Sequence, residues 1–133
     1  MKIGLISCVK TKQNKTSIAE EMYISDLFKK SLKYSKKMYD KIYILSAKYG
    51  LIELTDIIDT YELTLNNQSN IFIKKWSYDV LLKLTNKCDI NNDIFYFHCG
   101  EKYRKYLIQK LKNYKIPLQG LSFGNQLKYY NEH

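Results

Sequence analysis

Apolar residues along this chain fall in short runs and in helical stripes, and the two alternate. Ile3, Leu5 and Ile6 lie in an apolar run at residues 2–7, which predicts a first strand. Residues 8–17 are polar and read as a loop. A helix is expected over about 18–38, broken near Ser25 and Asp26, where Ser25 suits an N-cap. Leu27, Phe28, Ser31, Leu32 and Tyr34 share one face of it, with Lys29, Lys30, Lys33, Lys36 and Lys37 on the other side. Residues 41–46 form a second apolar run and a second strand. No regular element is clear over 47–68, and so long a stretch inside a compact domain is usually functional. A second long helix runs from Ser69 to Cys88, burying Ile73, Trp76, Val80 and Leu84. After the turn Asn91-Asn92-Asp93, residues 93–99 form a third strand, apolar beyond Asp93 except for His98. Gly100 breaks it and a helix starts at Glu101, with Tyr103, Tyr106, Leu107, Leu111 and Tyr114 inward. Residues 116–121 read as a fourth strand, and Pro117 near its start suits a sheet edge. Gly120 and Gly124 bracket a loop before a final helix over 125–132. This alternation predicts one α/β domain over residues 1–133: a mainly parallel four-stranded sheet in three layers, helices on both faces.

Composition narrows the classes. The 133 residues suit a single core, and 45% apolar content is ordinary for a globular chain. No apolar run approaches the ~18 residues of a membrane span, and no leader with a small-residue cleavage site is seen. A cytoplasmic protein is expected, with no membrane partner. Three cysteines, Cys8, Cys88 and Cys99, are an odd number without C-x-x-C spacing, which indicates neither a disulfide framework nor a zinc site. No metal and no cofactor are expected. The formal net charge of +9 favours a polyanion such as DNA, RNA or a nucleotide. Yet Arg104 is the sole arginine, and the abundance of Lys, Asn, Ile and Tyr is also what an A/T-rich coding sequence yields. Both explanations of the charge stand.

The candidate chemistry gathers at strand ends. The first strand runs into Ser7, Cys8, Lys10 and Lys12, and the second into Ser46, Lys48 and Gly50. Open α/β sheets bind ligands outside the carboxyl ends of their strands, so hydroxyls and lysines there suggest a pocket for an anion. The chain has no G-x-x-x-x-G-K-[ST] loop and no G-x-S-x-G elbow, which argues against a Walker NTPase and a serine hydrolase. Cys8 could act as a nucleophile activated by Lys10 and Lys12, with His98 as its base if their strands are neighbours, although a free cysteine usually behaves as a small buried hydrophobe. Asp56, Asp59 and Glu62 could supply the carboxylate that N-glycosidic hydrolysis requires, or form a solvated acidic loop. Tyr49, Tyr61 and Tyr103 could stack on a base. Arg104 could clamp a phosphate or pair with Glu101.

Three motifs carry a family resemblance: Ser7-Cys8-x-Lys10-x-Lys12, Leu45-Ser46-Ala47-Lys48-Tyr49-Gly50-Leu51-Ile52, and Tyr61-Glu62-x-Thr64-Leu65. With Phe97-His98-Cys99-Gly100-Glu101-x-Tyr103-Arg104 and Gly120-Leu-x-x-Gly124-x-Gln126-Leu127, they resemble a small bacterial and phage family catalogued as a domain of unknown function, number six-eight-eight-four. The middle segment is also similar to the YaaA peroxide-stress proteins. More distantly the chain is similar to uracil-DNA-glycosylase-like domains, including one within archaeosine synthase. The resemblance implies that α/β fold and a nucleobase or nucleic-acid context. It also singles out Glu62, which matches the family's acidic position beside Tyr61. The expectation is therefore an N-glycosidic hydrolase or transferase acting on a nucleotide or nucleic acid. Lys10, Lys12 and Lys48 would hold phosphate, Tyr49 and Tyr61 would stack the base, and Glu62 would be the acid/base group. The alternatives are a non-catalytic nucleotide or nucleic-acid binding module, and an interaction domain in phage or stress biology.

Overall fold

In the computed structural model, which describes residues 1–7 and 12–133, strand β1 is Lys2–Ile6, buried from Ile3 onward. The short strand β2 (Ser17–Ile18) and the one-turn helix α1 (Ala19–Met22) follow. Helix α2 is Asp26–Met38, and its N-cap Ser25 accepts a hydrogen bond from the Phe28 amide. The expected helix over 18–38 is thus two helices, because Tyr23 is extended and Ser25 restarts the hydrogen bonding. Next come β3 (Lys41–Ser46), β4 (Gly50–Glu53), β5 (Ile57–Ile58), α3 (Asn70–Lys87) and β6 (Ile94–His98). Helix α4 is only Glu101–Arg104, β7 is Tyr114–Lys115, and α5 is Phe123–Glu132.

The main sheet has five strands in the order β4-β3-β1-β6-β7, where four were expected. β1 pairs in parallel with β3 and β6, and β6 with β7; β4 alone runs antiparallel, beside β3. The extra strand comes from the segment read as irregular. Ser46 pairs with Gly50 across a tight turn, and Gly50 has φ of +75°, a conformation nearly reserved for glycine. The Ser46 hydroxyl accepts from the Tyr49 amide and fixes that turn. The conspicuous Leu45–Ile52 motif is therefore a β-hairpin with an αL glycine. β2 and β5 form a separate two-stranded antiparallel sheet.

Two further expectations are corrected. The helix from Glu101 lasts one turn before irregular turns and a 3-10 turn at Ile108–Lys110, though Tyr103, Leu107 and Leu111 are buried as its inward stripe predicts. The last strand is Tyr114–Lys115 rather than 116–121. Pro117 lies just past it, where its missing N–H costs no ladder bond.

Strand alternation sorts the two faces. Gly4 is opposite Tyr96 and Ile6 opposite His98, so these side chains share a face. Tyr39, the C-cap of α2, stacks on Tyr96 at 4.6 Å, which puts α2 on that face. A Cβ on Gly4 would meet the Tyr39 ring at 2.6 Å, so only glycine admits the ring there. Helix α5 packs beside α2 over a small second core of Tyr34, Leu118 and Tyr130. Helix α3 covers the other face: its Lys87 pairs with Glu53 of β4, and its Trp76 indole donates to the Ser46 carbonyl. Among the described residues, no helix is long and apolar enough to cross a membrane.

Candidate functional site

The strand order creates one topological switch point. From β1 the chain proceeds to β3 on one side, and from β6 to β7 on the other. The carboxyl ends of β1 and β6 are therefore neighbours whose connections diverge, and such a crevice is where open α/β sheets hold ligands. Ser7 leaves β1 there, its amide donating to the His98 carbonyl at 3.2 Å. A cavity of about 410 Å³ opens at this point. Ser7, His98, Cys99 and Gly100 form its floor. The N-cap of α2 and its first two turns supply Ser25, Leu27, Phe28 and Ser31, and α5 supplies Phe123, Gln126 and Tyr130. Asn66 and Tyr103 close the remaining side.

The described lining is aromatic, amide and hydroxyl, with the aliphatic Leu27 and the Cys99 thiol. None of these residues carries a charge at neutral pH, because His98 is held neutral: burial lowers its imidazole to about 4. The ring is gripped at both nitrogens. Its Nε2 lies 2.6 Å from the Tyr39 hydroxyl and its Nδ1 lies 2.7 Å from the Tyr130 hydroxyl. Tyr34 meets the ring edge-on, 5.6 Å between centroids. Desolvation, the largest effect, raises the Tyr39 and Tyr130 hydroxyls well above their ordinary range. The Cys99 thiol is pushed up to about 12 by burial, against the pull of the Arg104 guanidinium, so the protonated thiol is favoured at neutral pH.

A smaller recess of about 130 Å³ adjoins this cavity and shares His98, Cys99, Gly100 and Gln126 with it. Arg104 lines the recess. One of its guanidinium N–H groups donates to the Cys99 carbonyl at 2.7 Å, which aims the side chain back along the end of β6.

Of the candidates named from sequence, the structure brings Ser7, His98 and Tyr103 to the cavity and Arg104 to its neighbour. Cys8 and Lys10 lie outside the described residues. The condition set for His98, that its strand adjoin β1, is met, while both ring nitrogens are occupied by tyrosines. A second group gathers elsewhere. The Ser46 hydroxyl donates to the Tyr61 hydroxyl at 2.9 Å, and Tyr61 lies 2.7 Å from the Tyr23 hydroxyl, all buried. Lys12 sits over the Tyr61 ring, 4.5 Å from its centroid, and Lys48 over that of Tyr49 at 5.2 Å. The Tyr49 hydroxyl accepts from the Asp59 amide. These contacts, with Gly50 in its turn, tie Asp59 and Tyr61 back to the turn between β3 and β4. Glu62 is exposed and does not line the cavity.

Sequence reasoning assigned no role to Tyr39, Tyr130, Asn66, Phe123 or Gln126. Gln126 did fall inside the closing Gly120–Leu127 motif. Nothing in spacing marks Tyr39 or Tyr130 among 13 tyrosines.

A family model described as "Family of unknown function (DUF6884)" matches residues 3–132, and the chain belongs to that family. No curated protein and no solved structure matches it.

Proposed function

For this member of the family, we propose binding of a nucleotide, free or within a nucleic acid, with the base seated in the cavity between β1 and β6. One observation carries the reading: a cavity at the switch point whose lining, among the described residues, combines aromatic and other apolar groups with uncharged polar ones. That is the chemistry of a nucleobase, a planar ring with polar edges and no charge. Each ring stacked on an aromatic side chain contributes roughly 1–3 kcal/mol. The sugar and phosphate would leave toward the recess of Arg104, whose planar fork suits a phosphate. The net charge of +9 assists the approach of a polyanion. The likeness of the middle segment to YaaA proteins, and the distant one to uracil-DNA-glycosylase-like domains, agrees with this context.

Cleavage of an N-glycosidic bond is the catalytic form of the same proposal. It requires a carboxylate at the ligand, and among the described residues none lines the cavity, so binding stands first. The test is equilibrium titration with nucleosides, nucleoside monophosphates and short single-stranded oligonucleotides, alongside an assay for released base. Saturable binding without release is the expected result. Release that Glu62→Gln lowers by at least ~100-fold would establish the glycosidase instead. Absence of saturable binding by every probe refutes the nucleotide reading.

A further inference from the structure

Tyr130 lines the cavity, and its hydroxyl does not act alone. It is one end of a chain, Tyr130–His98–Tyr39, with both links at 2.6–2.7 Å. Tyr39 is half-buried and lines a groove of its own with Lys2 and Lys115, so the chain joins the cavity to a separate surface. Each hydroxyl donates one hydrogen bond, and a neutral imidazole donates one and accepts one. Two uncharged proton orders follow. In the first, Tyr39 donates to Nε2, Nδ1–H donates to Tyr130, and the Tyr130 O–H is free to donate into the cavity. In the second, Tyr130 donates to Nδ1, Nε2–H donates to Tyr39, and the Tyr130 oxygen can only accept from the cavity.

We propose that Tyr130 reads the bound ring, its hydroxyl making a polar contact to an oxo or amino substituent, with the proton order of the chain adapting to whichever is present. This rests on the nucleotide reading above. An oxo group selects the Nδ1–H order and an amino group the Nε2–H order. Passing from the first to the second releases one proton from Tyr130 to water in the cavity. Tyr39 takes one up from water in its groove, so charge and bond count are unchanged. The groups facing His98 are Tyr34 and Tyr39 from the α2 side and Tyr130 from α5. The buried ring stays neutral in both orders. His98 and Tyr39 are positioning residues; Tyr130 is the group that touches the ligand.

The experiment uses ¹⁵N-labelled full-length protein, with the His98 tautomer read from long-range proton–nitrogen spectra. Uridine offers oxo groups and adenosine an amino group. Uridine is expected to raise the Nδ1–H population and adenosine the Nε2–H population. Tyr130→Phe should weaken the binding of each by about 5-fold, the loss of one net hydrogen bond. If Tyr130→Phe does not fold, the opposite tautomer responses of the wild type decide alone. Saturable binding with an unchanged His98 ring, or equal affinity of a folded Tyr130→Phe, overturns this inference and leaves the nucleotide reading intact. No binding of either nucleoside overturns both.

Discussion

Holding His98 neutral in the core makes stability depend on pH in a definite window. Its imidazole falls from 6.5 to about 4 because burial disfavours the charged ring. The unfolded chain therefore binds more protons than the folded one between those values, and stability falls as pH falls. With these two values, the linkage removes roughly 2 kcal/mol between pH 7 and pH 5, and about 3 kcal/mol by pH 4. Glu53, Asp89 and Asp93 are also shifted, but downward from carboxylate values by their hydrogen-bonded partners. Their contribution is lost at lower pH, as each is protonated, so it stays largely out of the interval above pH 5. The perturbation is His98→Gln, which keeps a donor and an acceptor between the two tyrosines and removes the titration. Urea unfolding at pH 7, 6 and 5 supplies the free energies, with the far-UV spectrum confirming a folded start at each pH. The wild type should lose about 2 kcal/mol over this range and the variant only a small fraction of that. Whatever packing the substitution costs lowers the variant at every pH and leaves its slope untouched. A flat wild-type profile, or equal slopes in the two proteins, would refute the account of a neutral buried imidazole.

Two other outcomes test the scaffold around the site. Gly4→Ala drives a methyl to 2.6 Å from the Tyr39 ring; it should cost about 1–3 kcal/mol in urea unfolding and shift the His98 ring signals, since Tyr39 is displaced from Nε2. Tyr61→Phe removes the hydroxyl shared by Ser46 and Tyr23; it should cost about 1–3 kcal/mol of stability while leaving uridine affinity unchanged, because Tyr61 does not line the cavity. A loss of affinity without loss of stability would return Tyr61 to the ligand.

The sequence alone was enough for the alternating α/β plan, the N-cap at Ser25, the start of α3 near Ser69 with its buried stripe, and the three inner parallel strands. These are local signals: an apolar run, a helical period and a capping hydroxyl act over a few residues. It also pointed to strand ends, and Ser7, His98 and Tyr103 do meet at one cavity. What tertiary structure decided was which strand ends matter. The order β4-β3-β1-β6-β7 makes β1 and β6 the diverging pair, and no pattern within a strand encodes its neighbours. The Ser46–Gly50 motif stood out as chemistry in one dimension; in three it is a hairpin turn whose serine and glycine answer to the backbone. Tyr39 and Tyr130 are 91 positions apart on different helical segments. They meet only because His98 projects from the face on which α2 and α5 pack. A hydrogen-bond chain of that reach is made by packing, and residue spacing carries no trace of it.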